Sequence, residues 1–280
     1  MSLVMNDIKY FITVSETLNV TRASEIIGLS QPALSYALKR LENELGGHLL
    51  IRLKNGVQLT KFGERFKQNA HRLLYEWEQV QSLANPKSGF IQGSYTFALH
   101  PSVALYMLES FMPTLQADFH GLDFNFIHGL SREMTEKVIS WEADFGIVVN
   151  PIKHPDLVIS KLYNDEVTIF YAKNAQNKLI YDKNLAQSQY ILKKIGKKVN
   201  FNGVLSSGNL EVVAKLTSLG LGYGLLPTRV AQQYKHLIKL KDAPIFKDEI
   251  CLVYRPEKHN NAVSKKIIQI IKSLSIGSFL

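Results

Sequence analysis

The stretch "LSQPALSYALKRLENELGG" (residues 29–47) decides the fold of the first part of the chain. Leu34, Leu38, Leu41 and Leu45 recur at helical spacing, so one face belongs to a core. Gln31, Ser35 and Lys39 follow in four-residue steps on a second face, with Tyr36 and Arg40 beside it. Ser30 is placed to cap this helix, and Pro32 sits in its first turn, where a missing N–H costs nothing. Gly46 and Gly47 end it. The result is a helix with an apolar back and a front suited to hydrogen bonding.

Upstream, "NDIKYFITVSETLN" puts Ile8, Phe11, Ile12 and Leu18 on one helical stripe, with Asn6 as its expected N-cap. Thr21 is then placed to cap a short helix, "RASEIIG", which buries Ala23, Ile26 and Ile27 and stops at Gly28. Two short helices joined by a tight Gly-Leu-Ser turn make a helix-turn-helix. In that motif the second helix enters the major groove and its N-terminal residues meet base edges. Downstream, Asn55-Gly56 within "LLIRLKNGVQLT" predicts a hairpin with a type I′ turn. A hairpin directly behind a recognition helix is a wing, and its Arg52 and Lys54 would meet phosphates or the adjacent minor groove.

From Thr60 the pattern becomes a long helix. Phe62, Phe66, Ala70, Leu73, Trp77 and Val80 form a near-heptad stripe that needs a partner helix. Dimerisation through this stripe is the expectation, since DNA half-sites are read by two-fold dimers. The alternative is packing against the chain's own next domain. "NPKSG" (85–89) ends the helix as a linker.

Composition is permissive. The 280 residues, 46% hydrophobic and 20% charged, fit an ordinary globular protein with room for two domains. One cysteine, Cys251 in the apolar run "EICLVYR", makes no internal disulfide and reads as a buried strand residue in a reducing compartment. The start shows no positive n-region, apolar h-region or cleavage site, and no apolar run reaches membrane-spanning length. A cytoplasmic location without a membrane partner is therefore expected. The net charge of +9 permits a polyanionic partner. It is not concentrated at the N-terminus, because residues 1–90 hold 11 Lys and Arg against 8 Asp and Glu. The local pattern, rather than net charge, identifies the nucleic-acid-binding segment.

After Ser94 strands alternate with helices. "SYTFALH", "DFNFIHG", "DFGIVVN" and "DEICLVYR" read as strands; "SVALYMLESFMPTLQADF", with Pro113 as a local interruption, and "SREMTEKVISWEA", opened by Ser131, read as helices. "SGNLEVVAKLTSLGLGYGLLP" is a helix, a Gly-rich turn and a strand, and "NNAVSKKIIQIIKSL" is a closing amphipathic helix. This alternation argues for α/β subdomains.

The segment from "FITVSETLN" through "SQPALS" and "LKRLENELG" to "LTKFGE" resembles the winged helix of the LysR-type transcriptional regulators almost without gaps. Ser24 stands where the family prefers a second alanine, and "LLIR" replaces the usual "LFxR". The resemblance implies DNA contacts from Gln31, Pro32, Ser35, Tyr36 and Lys39, with Thr21 and Arg22 near the backbone and Arg52 and Lys54 on the wing. The chemistry agrees: Gln pairs bidentately with adenine, Pro32 or the Tyr36 ring can meet a thymine methyl, and Lys39 reaches guanine or phosphate. Solvent exposure without DNA contact is the alternative for Ser35 and Tyr36.

The later half looks like the same family's effector-binding domain, a two-lobed fold similar to periplasmic binding proteins, on weaker features: "DFGIVV" and "LGLGYGLLP". The whole is thus expected to be α/β. Residues 1–60 form the winged helix-turn-helix and 61–89 the linker helix and hinge. Residues 90–280 form the effector domain, with lobe 1 at about 90–162 and 256–280 and lobe 2 at about 163–255. The segment between "KLIYDKNLAQSQYILKK" and "SSGNLE" looks shortened, as though a helix of lobe 2 were missing. In such folds ligands bind beyond the carboxyl ends of strands, between the lobes. That selects His100, Pro101, Ser102, Val103, Gly129, Leu130 and Ser131, with Asn150, Thr168, Ser206 and Ser207 as further candidates. Ser102 and Ser131 at helix starts suggest a small anionic effector, although capping alone also explains serine there. His100 and His128 end neighbouring strands but lack a third ligand, so no metal is expected.

The leading expectation is a DNA-binding transcriptional regulator under small-molecule control, a homodimer or homotetramer on double-stranded DNA, with RNA polymerase as a further candidate partner and no cofactor. An enzyme is the first rival. No GxSxG, P-loop or HExxH is present, and "LGLGYG" precedes a strand instead of opening a helix. A solute-capturing transport protein is the second rival, which the start of the chain does not favour.

Overall fold

A computed structural model describes residues 5–84, 93–196 and 200–274. The chain divides into two compact units, Met1–Gly89 with Ser140–Glu142 and Phe90–Ile139 with Ala143–Leu280. The expected linker at 85–89 lies outside the described residues.

The first unit runs α1 (Met5–Thr17), α2 (Val20–Ile27), α3 (Gln31–Leu45), β1 (Leu50–Leu53), β2 (Gly56–Leu59) and α4 (Lys61–Ala84). Leu34, Leu38 and Leu41 bury the back of α3 against Ile8, Phe11, Ile12, Ala23 and Leu49, and Leu45 packs at the margin of this core. Ser30 caps α3 by accepting the Ala33 N–H at 3.3 Å, Pro32 lies in the first turn, and Gly28 and Gly46 close α2 and α3 in the left-handed conformation. Two caps differ from expectation. Asn19, not Thr21, caps α2, accepting the Arg22 N–H at 3.1 Å, and Asn6 lies inside α1. Ile26 is exposed, because α2 turns only Ala23 and Ser24 fully inward.

Leu18 leaves the apolar stripe altogether. It breaks α1 at φ 49° and exposes its side chain. Its carbonyl accepts the Val57 N–H at 2.9 Å, which ties the wing to the end of α1. This approach dictates Gly56: a Cβ there would stand 2.5 Å from the Leu18 oxygen. The hairpin forms as expected, but Leu53 pairs with Gly56, so Lys54 and Asn55 occupy the turn. Asn55 is not among the residues at positive φ, so the turn is not type I′. After the wing, Thr60 accepts the Gly63 N–H at 2.8 Å and starts α4.

The dimer stripe on α4 splits in two. Ala70 is 1% exposed inside the unit's own core, and Phe66 packs there with its ring 5.3 Å from that of Phe11. These two residues are thus taken up within one copy and are withdrawn from the expected interface. Phe62, Leu73, Trp77 and Val80 remain exposed.

The second unit holds a nine-stranded sheet in the order β4-β3-β5-β11-β6-β9-β7-β8, with β10 (Ile238–Lys239) also on β6. One end is built from β3 (Gly93–Leu99), α5 (Pro101–Asp118), β4 (Leu122–His128), α6 (Ser131–Ile139) and β5 (Phe145–Val149), closed by α10 (Ala262–Leu274). The other holds β7 (Leu179–Tyr181), α7 (Ala186–Ile195), β8 (Val204–Ser206), α8 (Leu210–Ser218), β9 (Tyr223–Pro227) and α9 (Thr228–Ala231). Parallel pairings of β3 with β4 and β5, and of β7 with β8 and β9, are joined by helical crossovers as parallel strands require. Apart from its last residue, α7 falls within "KLIYDKNLAQSQYILKK", before the segment that looks shortened, and the described residues of that segment hold no further α-helix. α5 runs through Pro113 without a break.

Two strands, β6 (Val158–Tyr171) and β11 (Phe246–Tyr254), pair antiparallel along their length and cross from lobe to lobe. Ile250, Leu252 and Tyr254 lie in the first lobe's core, whereas Phe246 packs against Val167 and Ile169 in the second. The first crossing, near 164–166, falls close to the boundary drawn at about 163, whereas the second, near 247–249, lies inside β11 and before the boundary drawn at about 255. Among the described residues, no helix is long and apolar enough to cross a membrane.

Candidate nucleic-acid interface and ligand cleft

Burial of the leucine face leaves the opposite edge of α3 outward. Gln31, Pro32, Tyr36 and Lys39 are exposed, Tyr36 to 68%, and Ser35 is half-buried with its hydroxyl 3.4 Å from Gln31 Nε2. Thr21 and Arg22 on α2 and Arg52 and Lys54 on the wing are exposed as well. The nine expected DNA-contact residues thus lie at the surface, on the three elements expected to carry them.

Arg40, which sequence spacing put beside that edge, has a different task. Its Nε and Nη2 donate to the two oxygens of Asp7 on α1, each at 2.7 Å, while Asp7 is buried. The guanidinium carbon also lies 5.8 Å from the Tyr36 ring centre. This bidentate bond fixes α3 on α1 and steadies Tyr36, so the Arg40 charge is spent within the unit.

In the second unit, two adjoining cavities of 290 and 230 Å³ open between the lobes and share His100, Leu130 and Leu210. They lie past the carboxyl ends of β3, β4, β5 and β9, where ligands bind in α/β sheets. Of the expected residues, His100, Pro101, Ser102, Gly129, Leu130, Ser131 and Asn150 line them. Four do not. Val103 is a core residue of the first lobe. Thr168 is 0% exposed and donates its hydroxyl to the Pro244 carbonyl at 2.9 Å. Ser206 and Ser207 are absent from both linings, and the Ser207 hydroxyl accepts the Asn209 N–H at 3.2 Å. His128 is likewise no part of either lining.

The serines at helix starts are also committed elsewhere. His100, not Ser102, caps α5: its Nδ1 accepts the Ser102 N–H at 3.3 Å and lies 2.9 Å from the Ser102 hydroxyl. Nδ1 is therefore unprotonated. Burial, aided by Arg229, holds the imidazole pKa down to about 4. The Ser131 hydroxyl accepts the Val149 N–H at 3.0 Å.

Sequence reading missed the charged centre of the cleft. Arg229, at the start of α9, is buried; it donates to Asp165 at 2.5 Å and to the Ser102 hydroxyl at 3.1 Å, and its Nε has no acceptor among the described residues. Asp248 on β11 accepts from Asn150 Nδ2 at 2.7 Å and Gln187 Nε2 at 3.0 Å, and burial raises its carboxyl above the ordinary range. Both had a signal. Arg229 follows the end of β9, and the same strand-end rule selects it. Asp248 shares inward parity with Ile250 and Leu252 in "FKDEICLVY".

Comparisons with known proteins agree with this architecture. The family model described as "Bacterial regulatory helix-turn-helix protein, lysR family" matches residues 5–64, and "LysR substrate binding domain" matches 88–275. The Hca operon transcriptional activator HcaR of Escherichia coli is 26% identical over 243 residues, covering 80% of this chain and 81% of its own. A full-length OxyR variant from Pseudomonas aeruginosa superposes with a TM-score of 0.72 at 18% identity, covering 99% and 96% of the two chains. Full-length CbnR, solved with its target DNA, gives a TM-score of 0.62 at 18% identity over 97% and 100%. With family models matching both the winged helix and the two-lobed unit, the chain belongs to the LysR family of bacterial transcriptional regulators.

Proposed function

We propose that the chain reads a two-fold operator through the outward edges of its α3 helices, as a homodimer or homotetramer in the cytoplasm. Gln31, Ser35 and Lys39 take base edges, while Arg22, Arg52 and Lys54 hold phosphates. The observation that carries this is the exposed hydrogen-bonding row on a helix whose back is locked by Leu34, Leu38 and Leu41 and whose side is bolted by Arg40 to Asp7. The exposed Leu73, Trp77 and Val80 favour the outer half of α4 as the contact between copies. An effector in the inter-lobe cleft alters the operator-bound arrangement, which requires it to bind two arrangements with different affinity. RNA polymerase is the partner proposed for the operator-bound assembly.

The test starts with the full chain on a random duplex library. Enrichment of a two-fold symmetric sequence is expected, and retention without sequence preference would overturn the reading. Titrating the enriched duplex with and without the low-molecular-weight fraction of a cell extract tests effector control. A shift in operator affinity is expected; identical curves would remove it.

A further inference from the structure

We propose that the inter-lobe cleft takes a ligand bearing a primary ammonium group on an apolar body, with the ammonium seated against Asp248. The inference rests on the cleft being the effector site, and it reverses the sign of charge that serines at helix starts had suggested.

The case is a balance of buried charge. Asp248 is 1% exposed and lines the larger cavity. Its hydrogen-bond donors are two neutral amides. The Asn150 amide cannot be turned round, because its Oδ1 already accepts the Glu249 N–H at 2.8 Å, so its NH2 must face Asp248 at 2.7 Å. Gln187 Nε2 adds contacts at 3.0 and 3.3 Å to the two carboxylate oxygens. These amide donors, with the charge of Arg229, favour the ionised carboxylate against the burial that raises its pKa. Neutral donors solvate it without cancelling its charge, and a buried unpaired charge is costly.

Among the described residues that line the cavity, no cation forms an ion pair with Asp248, and Arg229 acts on it only at longer range. Arg229 lines the same cavity, but its charge is met by the buried Asp165 at 2.5 Å. His100 is neutral, since burial and Arg229 keep its pKa near 4. Arg132 stands at the rim with its side chain 77% exposed and pairs with Glu136 at 3.3 Å, where solvent screens it. Glu133, on the adjoining cavity, adds a further negative group. A carboxylate ligand reaching the Arg229 Nε–H would place a third anion beside Asp165 and Asp248. An ammonium instead neutralises Asp248. Most of the rest of the wall, including Leu130, Ile152, Leu225 and Phe246, is apolar and suits a hydrocarbon body, with Ser131 and Asn184 as its further polar residues.

Three probes of one skeleton separate the charges: 2-phenylethylamine, 2-phenylethanol and phenylacetate, titrated calorimetrically into the full chain at pH 7. The amine is expected to bind about 10- to 100-fold more tightly than the alcohol, as a charge-assisted bond allows, and phenylacetate more weakly still. Asp248→Asn should bring the amine down to the alcohol's level. Unchanged alcohol binding in that variant shows the cavity intact. Phenylacetate binding as tightly as the amine, or an amine advantage that survives Asp248→Asn, would overturn the charge assignment and leave the cleft a ligand site. Binding of none of the three would overturn it too, while the extract titration judges the cleft reading separately.

Discussion

Gly63→Ala sets two physical effects against each other. Gly63 lies in the first turn of α4 and packs on the backbone of Leu49, so an added Cβ would sit 2.1 Å from the Leu49 oxygen and 3.0 Å from its carbonyl carbon. That oxygen cannot swing away freely, because it accepts the Thr60 N–H at 3.0 Å. Restoring contact at about 3.0 Å requires α4 and the wing to part by roughly 0.9 Å. Overpacking of this kind costs about 1–3 kcal/mol, whereas alanine in place of glycine in a helix returns about 1. Because the atom met is backbone and not a flexible side-chain end, the cost falls in the upper part of that range, about 2–3 kcal/mol. The clash therefore wins by about 1–2 kcal/mol, roughly a 5- to 30-fold rise in the opened population. Hydrogen exchange of the amides of α1 and α3 in the full chain reads this directly, since core amides exchange through opening of their unit. Faster exchange by that factor is expected. Unchanged or slower exchange would mean that helix propensity dominates and that the contact with Leu49 does not constrain α4.

Three further outcomes follow from the second unit. His100 has a folded pKa near 4 against 6.5 when unfolded, so the unfolded chain binds the extra proton in between. Its contribution is intact above about pH 6.5 and is lost as pH falls to about 4, roughly 3 kcal/mol in all. His100→Asn, which keeps a capping oxygen for the Ser102 N–H, should lose less urea resistance between pH 7 and pH 4 than the parent; equal losses would contradict the assignment. Thr168→Val should lower stability by about 1–2 kcal/mol by stranding the Pro244 carbonyl, with cleft binding unchanged; weaker binding by calorimetry would return Thr168 to the site. Cys251 is buried and its thiol is pushed up to about 11, first by burial and then by Glu249, so a disulfide reagent should label it only after unfolding. Rapid stoichiometric labelling of the native chain would refute that.

The helix-turn-helix was legible because its signals are local: leucine spacing, a serine cap, a proline in the first turn and glycine stops all act within a few residues. Where a local signal failed, a distant group had intervened. The Leu18 carbonyl claims Gly56 and moves the hairpin turn to Lys54 and Asn55. The stripe on α4 keeps steps of three or four residues throughout, yet Phe66 and Ala70 face their own core while Leu73 and Trp77 do not. Periodicity carries no information about where the neighbouring core ends. β6 went unseen because "VISKLYNDEVTIFY" passes from one lobe to the other, and polar residues interrupt its apolar pattern at the crossing. In the cleft, the strand-end rule chose the right backbone positions and the wrong hydroxyls. Which side chains meet there depends on partners 64 residues apart, as with Arg229 and Asp165, and on the parity that turns Asp248 inward.

The most direct test of the account is the affinity of the full chain for its selected duplex, divided by its affinity for a scrambled duplex, before and after Gln31→Ala. If the outward edge of α3 reads base pairs, this ratio falls by about 5- to 100-fold while binding to the scrambled duplex barely changes. Equal losses on both duplexes, or none on either, would show that the edge does not read sequence.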